Sequence, residues 1–462
     1  MIQKFDAIII GTGQAGKPLA QRLAAEGWQV AIIEKEFVGG TCINNGCTPT
    51  KAMVSSAKMA FQARRSNEYG INTNNIIVNL AAVVERKDTI IKNARKSIEK
   101  GFANSQNIQL IYGKATFSEN KTLTIELSSG GTQTITATYI FINTGARPSI
   151  PDTPGLSTIP FLTSTSIMKL DKVPEHLVII GGSYIALEFG QMFARFGSKV
   201  TILERSDRIL QKEDDDISEE ISKILRQEGI EILTGTTVKS VALLADQAIS
   251  ITVSTSAKEE TIIASQLLIA TGRMPNTDEL NLEKTGVQID EKGYIKTNSK
   301  LETNIAHIYA LGDVKPGPAF THVSYNDFVI VATNLLENGN MTIDKRQIPY
   351  CVFIDPEFAR VGLNENEAKR AGLNYQVFKL PMNYVARAIE AGETKGFMKA
   401  IVDMDTKEIL GVSILGFGGG EIMSLLQMCM LGGITVDLLK SQIFAHPTYA
   451  EAVNNLFMKI SK

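Results

Sequence analysis

The chain has 462 residues, 44% hydrophobic and 21% charged, and its 47 Lys+Arg against 49 Asp+Glu leave a formal net charge of -2. That mixture suits about three globular domains at roughly 150 residues each, and excludes disorder, collagen and coiled coil. With no basic excess the chain is not built for nucleic acid; it has no signal-peptide layout and no apolar run near the ~20 residues of a membrane span, so a soluble cytoplasmic protein is expected.

Ala7 to Ile10 is a short apolar run, the mark of a strand buried on both faces. Gly11-Thr12-Gly13-Gln14-Ala15-Gly16 follows directly, then helical spacing at Leu19, Leu23 and Ala24 up to Gly27. A second apolar run, Val30 to Ile33, ends in Glu34, 23 residues after Gly11. This is a βαβ unit with a glycine turn that lets backbone N–H groups approach a pyrophosphate, and an acid placed for a ribose hydroxyl. Gly11 makes the turn, Gly13 permits close approach, and Gly16 lets helix and strand pack.

The helical pattern from about Leu80 to Lys100 has a basic face of Arg86, Lys87, Lys92, Arg95 and Lys96, which reads as a solvated surface. Pro151 to Pro160, rich in Pro, Thr and Ser, reads as a linker. The first unit then returns 170 residues on: the run Leu177 to Ile180, the turn Gly181-Gly182-Ser183-Tyr184-Ile185-Ala186, a helix to Gly197, and the run Val200 to Leu203 ending in Glu204. Here Ser183 and Ala186 replace two glycines but remain small. Glu204 favours a free ribose 2′-hydroxyl and repels a 2′-phosphate, although Arg205 and Arg208 stand nearby. Thr144-Gly145 and Thr271-Gly272 sit in a second repeated pair of turns, each followed by Arg and Pro, which suggests a chain crossing between domains. Beyond a boundary near Glu337 to Asn340, strands are expected at Tyr350–Phe353, Gly396–Val402 and Ile409–Leu415, with helices at Glu421–Leu431 and Tyr449–Ser461.

Of the four cysteines, Cys42 and Cys47 lie five apart in Gly40-Thr41-Cys42-Ile43-Asn44-Asn45-Gly46-Cys47-Thr48-Pro49-Thr50-Lys51, before a helical pattern. A helix N-terminus and a nearby cation raise the thiolate fraction, and two such thiols can close a reversible disulfide. Metal ligation is the weaker reading, because no His or further Cys is near, and no metal site is expected. His446-Pro447-Thr448 followed by Glu451 offers a near-neutral proton carrier with a carboxylate to orient it.

With these motifs the chain resembles, over essentially its whole length, the class I pyridine nucleotide–disulfide oxidoreductases, the family of dihydrolipoamide dehydrogenase, glutathione reductase and mercuric reductase. The resemblance also takes in Ala310-Leu311-Gly312-Asp313. It implies an α/β fold of glutathione-reductase type: two Rossmann-like, doubly wound dinucleotide-binding domains plus an α+β C-terminal dimerisation domain. The expected divisions are 1–147 (FAD-binding, first part), 148–271 (NAD(P)H-binding), 272–345 (FAD-binding, second part) and 346–462 (interface). The resemblance implies FAD at the first turn and NADH, with NADPH as the alternative, at the second. Cys47 would face the flavin and Cys42 would exchange with substrate. Lys51 and Glu188 would lie by the flavin, Tyr184 would gate the nicotinamide pocket, Asp313 would bond the ribityl chain, and Ala115 would touch the adenosine part. Thr41, Thr144, Gly145, Phe320 and Thr321 would complete the flavin site; Gly181, Ser183, Ile185, Glu204, Arg205, Val238 and Gly272 would form the nicotinamide-nucleotide site. His446 with Glu451 would serve the partner subunit's disulfide in a homodimer. The acceptor stays open: a small-molecule or protein disulfide or thiol, or a metal ion. Thr48-Pro49-Thr50 and the Ser183/Ala186 turn favour a mercuric-reductase-like enzyme, but a C-terminal Cys pair is missing; Glu204 and the His-Pro-Thr motif favour dihydrolipoamide dehydrogenase, but Phe444 stands where it usually has a second His. A flavoprotein NADH oxidase or transhydrogenase without disulfide catalysis is the remaining alternative.

Overall fold

The computed structural model describes residues 2–256 and 258–458. Its first sheet begins with β1 (Gln3–Ile10), followed by α1 (Gly16–Ala25) and β2 (Val30–Glu34). Two helices, α2 (Gly40–Asn44) and α3 (Cys47–Arg64), carry the cysteine pair, and α4 (Leu80–Ala103) leads to β3 (Ile108–Glu119), β4 (Thr122–Leu127) and β5 (Thr132–Ile142). β3, β2, β1 and β5 run parallel in that order. The far half of β3 and the near half of β5 pair antiparallel with β4, while Ile135 and Thr136 of β5 also keep their pairing with β1. Two apolar clusters fill the faces of the sheet.

The short β6 (Ala146–Pro148) leads out of this sheet. A second parallel sheet contains β7 (His176–Ile180), β8 (Lys199–Leu203) and β9 (Glu231–Leu233), with α5 (Tyr184–Phe196) after β7 and α6 (Asp215–Gln227) after β8. An antiparallel layer of β10 (Thr237–Leu243), β11 (Ile249–Ser254) and β12 (Glu259–Ala264) precedes β13 (Gln266–Ile269), which pairs with β7. β14 (Arg273–Pro275) pairs antiparallel with β6, so the two repeated Thr-Gly turns stand at opposite ends of one short ladder, where the Asn276 N–H donates to the Gly145 carbonyl and the Ser149 N–H to the Gly272 carbonyl, both at 2.9 Å. The expected linker is not a free strand: Leu156 and Ile159 are buried, and the Val241 N–H donates to the Pro154 carbonyl at 2.9 Å. Its apolar residues had been masked by the Pro, Thr and Ser around them.

β15 (Ile308–Ala310) then returns to pair with β5, and α7 (Thr321–Leu336) follows. The last region is a five-stranded antiparallel sheet, β16 (Tyr350–Val352), β17 (Glu357–Gly362), β18 (Tyr375–Pro381), β19 (Phe397–Asp403) and β20 (Ile409–Gly416), in the order β16-β17-β20-β19-β18. The helices here are α8 (Glu365–Arg370), α9 (Ala386–Glu390), α10 (Gly419–Leu431), α11 (Val436–Ser441) and α12 (Ala452–Phe457). α12 is shorter than the expected Tyr449–Ser461: it starts at Ala452, and residues 459–461 of that expectation lie outside the described residues.

The basic face of α4 is only partly a solvated surface. Lys92 and Lys96 are exposed, but Lys87 is buried and its ammonium donates to the Met168 carbonyl at 3.0 Å. The Arg95 Nε donates to Asn44 Oδ1 at 2.6 Å and its guanidinium lies 3.7 Å from the Phe37 ring centroid. Among the described residues no helix is long and apolar enough to cross a membrane.

Candidate active site

At the first turn Gly11 has φ +105°, and a Cβ there would stand 2.4 Å from the Asn143 carbonyl oxygen. A Cβ at Gly16 would meet the Gly11 oxygen at 2.2 Å, and one at Gly40 would meet Gly13 Cα at 2.7 Å. Only glycine lets strand, helix and cysteine loop converge this closely. The Glu34 carboxylate accepts bonds from the Thr12 N–H at 3.2 Å, the Thr12 hydroxyl at 2.5 Å and the Glu36 N–H at 3.1 Å. The Thr12 hydroxyl in turn accepts the Gly39 N–H at 2.9 Å. Buried Asn44 closes the loop by donating to the carbonyls of Phe37, Val38 and Gly40.

These residues border a cavity of about 780 Å³. Gly11, Gly13, Glu34, Thr41, Cys42, Cys47, Lys51, Ala115, Thr144, Gly145, Tyr184, Ile185, Glu188, Asp313, Phe320 and Thr321 all line it. A cradle of glycine, an acid at the end of β2 and a long cavity leading to the thiols fit a dinucleotide whose reactive ring ends at sulfur, as FAD requires. Gly16 lies beneath the turn. Gly181, Ser183, Glu204, Arg205, Val238 and Gly272 are not among the lining residues; they belong to the second glycine turn and its neighbourhood. There Gly181 has φ +115°, the Glu204 carboxylate accepts the Gly182 N–H at 2.7 Å and the Ser206 N–H at 2.9 Å, and Arg205 is exposed.

Cys42 lies in α2 and Cys47 opens α3, both as free thiols. The two thiols shift in opposite directions: Cys47 is held down to about 6, by Cys42 first and then by the Thr321 hydroxyl and Lys51, while Cys42 is pushed up by Cys47 and by burial. Cys47 Sγ is 3.3 Å from Thr321 Oγ1. One turn into α3, the Lys51 ammonium bonds both oxygens of buried Glu188, at 2.8 and 3.0 Å, and lies 4.6 Å from the Phe353 ring centroid. The Phe353 N–H donates to the same carboxylate at 2.9 Å. Phe353 was expected only as a strand residue; nothing in its local pattern marks it as a clamp on Glu188.

Tyr184 stands 6.2 Å from the Phe320 ring, which stacks between His322 and Tyr350 at 5.4 and 5.6 Å. Asp313 is bonded by Arg273 at 2.8 Å, and Arg273 also donates to the Ala146 carbonyl at 2.7 Å. Asn143 was missed as well; its position in the Thr-Gly turn was the available signal. His446 does not line the cavity of its own chain. It sits between α11 and α12, largely exposed, with Nδ1 2.8 Å from Glu451 Oε2, and near it Ile443 is fully exposed.

Two fused dinucleotide folds around a paired thiol and a buried ammonium–carboxylate pair define a flavin-dependent pyridine nucleotide–disulfide oxidoreductase. The chain belongs to that family: residues 5–327 match the pyridine nucleotide-disulphide oxidoreductase domain and residues 348–457 its dimerisation domain. It is 38% identical over 460 residues to the probable pyridine nucleotide-disulfide oxidoreductase RclA of Escherichia coli (strain K12), covering 99% of each chain. A mercuric reductase of Staphylococcus aureus is 36% identical, over 97% of this chain and 81% of that protein. The solved structure of the HOCl-induced flavoprotein disulfide reductase RclA from Escherichia coli superposes with a TM-score of 0.89 at 37% identity, covering 99% of this chain and 100% of that one.

Proposed function

We propose that this enzyme is an NADH-dependent reductase whose working disulfide is Cys42–Cys47 and whose active unit is a homodimer. The observation that carries the reading is that the two thiols share one wall of the cavity, with the Thr321 hydroxyl 3.3 Å from Cys47 Sγ and the Lys51–Glu188 pair one turn along α3. The Gly11–Gly16 cradle, Glu34 and Asp313 would hold FAD, which would supply a two-electron relay between nicotinamide and sulfur. Reduction breaks one S–S bond, and the pair keeps one proton. The negative charge rests on Cys47, where the ammonium and hydroxyl stabilise it. Cys42 keeps the proton and must lose it to attack a substrate.

That step calls for a base. His322 lines the cavity, but its Nε2 is committed to the Pro349 carbonyl at 2.6 Å and its ring to Phe320. His446, oriented by Glu451 on the dimerisation domain and open to the outside, suits delivery into the partner subunit's site. The tyrosine–phenylalanine wall of Tyr184 and Phe320 suits the nicotinamide ring. Glu204, with both oxygens drawn to backbone N–H groups, is placed to accept a ribose 2′-hydroxyl; a 2′-phosphate would bring like charges together. Arg208 is engaged by Asp215 and by the carbonyls of Gln211 and Glu213, so it offsets little of that repulsion.

The acceptor is a disulfide or a metal ion. The names of the relatives support assaying both, because they include mercuric reductases and a Cu(II) complex of RclA. The test is a count of free thiols before and after NADH under anaerobic conditions, followed by turnover against lipoamide, glutathione disulfide, Hg²⁺, Cu²⁺, quinones and O₂. Oxidised enzyme should gain two thiols per chain, and Cys42→Ser and Cys47→Ser should each remove that gain. A flavin reduced by NADH with no new thiols would defeat the reading.

A further inference from the structure

Helix α5 carries Glu188, Gln191 and Arg195 at spacings of three and four, which puts them on one face. All three are buried. The bend at residues 353–355, between β16 and β17, lies along this face, bonded rung by rung. Below the Phe353–Glu188 bond, the Asp355 N–H donates to Gln191 Oε1 at 2.7 Å, and Gln191 Nε2 donates back to the Asp355 carbonyl at 2.8 Å. The Gln191 amide thus pairs with a backbone as a neighbouring strand would. Arg195 closes the row with a 2.8 Å bond to Asp355 Oδ2, while its other nitrogens grip Glu228 at 2.7 and 2.8 Å.

Helix α3 is fastened to the same row. Lys51 and Lys58 are seven residues apart, two turns on one face. Lys51 meets Glu188 and the Phe353 ring; Lys58 meets Asp355 Oδ1 at 3.1 Å. The Arg195 guanidinium lies 3.8 Å from the ring centroid of Phe61, one turn further along α3. Because Cys47 and Lys51 are both carried by α3, an axial slip of this helix against α5 would take Lys51 away from Glu188, the carboxylate that fixes its ammonium in place beside the thiol.

We propose that Gln191, Arg195 and Asp355 are positioning residues: they clamp segment 353–355 onto α5 and so hold the axial register of α3 and the place of the Lys51–Glu188 pair beside Cys47. The proposal rests on the reading of Cys42–Cys47 as the redox pair. The groups facing Cys47 are Cys42 from α2, Lys51 on its own helix, Glu188 and Tyr184 from α5, and Thr321 from α7. Of these, Lys51 and Glu188 are tied directly to the clamp. Loosening it leaves the ammonium less well held against the sulfur.

The test uses full-length flavin-loaded enzyme with Cys42→Ser, so that Cys47 is the thiol read, and follows the rate of iodoacetamide alkylation with pH alongside the melting temperature. Lys51→Met sets the scale: its midpoint should rise by about one unit, as removal of a nearby opposite charge does. Gln191→Leu should raise it by roughly half that or more while flavin stays bound. Should Gln191→Leu not fold, Arg195→Lys, which keeps the charge but loses the fork, is read by the same criterion. A lowered melting temperature with an unmoved midpoint would show that the clamp serves only stability. An unmoved midpoint in Lys51→Met would also overturn the proposal, and would remove Lys51 from the reading of Cys47; a shift there without one in Gln191→Leu overturns the clamp alone.

Discussion

The two glycine turns are copies of one unit, and their carboxylates are held alike: Glu34 takes the N–H groups of residues 12 and 36, Glu204 those of residues 182 and 206. The difference lies in what else each turn touches. Thr12 adds a hydroxyl that bonds Glu34 and receives the Gly39 N–H, so the first turn is joined to the loop that carries Cys42. Gly182 stands at the corresponding place with no side chain, and a Cβ there would meet Glu204 Oε2 at 2.8 Å. At the third glycine position Gly16 is pressed against the Gly11 oxygen, whereas Ala186 fits, fully buried, in the second copy. The first turn is tied by hydrogen bonds to the cysteine loop and suits a resident cofactor; the second reaches the same cavity only through Tyr184 and Ile185, while its glycines and Glu204 lie outside the cavity lining, and suits a nucleotide that comes and goes.

Breaking the first turn should have the largest effect. Gly16→Ala places a methyl 2.2 Å from the Gly11 oxygen, so the purified protein should lose its bound flavin, read as visible absorbance per chain. Full flavin content in this variant would mean that the turn is not the tight cradle described. Next, Thr12→Val removes the tie between turn and cysteine loop and leaves the Gly39 N–H without its partner. The expected cost is about 1–3 kcal/mol in denaturant unfolding; an unchanged midpoint would dissolve the distinction between the turns. Smallest is Glu204→Gln, which removes the charge and keeps the shape. The ratio of kcat/KM for NADH over NADPH should fall roughly tenfold, the effect of about 1.4 kcal/mol. A ratio that stays in place would assign cofactor choice to Arg205 and its neighbours.

Much of this was legible in the chain alone. Both βαβ units, the paired thiols, Lys51, and the His446–Glu451 pair were found by spacing and motif, because strand burial, glycine turns and helix starts are local demands on neighbouring residues. Local rules also misled: the Pro-rich stretch at 151–160 reads as a linker although it is packed, and Lys87 and Arg95 read as solvated although one is buried and the other holds Asn44. Side-chain chemistry does not reveal which long cations find a partner from a remote segment.

What only the tertiary structure decided are the long-range pairings. Glu188 lies 137 positions from Lys51 in the chain and 165 from Phe353, and Asp355 lies 164 from Gln191. No periodicity within one element encodes such partners; they meet because α3, α5 and the segment before β17 pack around a shared apolar core that includes Met53, Ala57, Leu187, Phe189 and Ile354. The sequence determined which residues were able to do redox chemistry. The packing of three distant segments decided where the Lys51 ammonium stands relative to the two sulfurs.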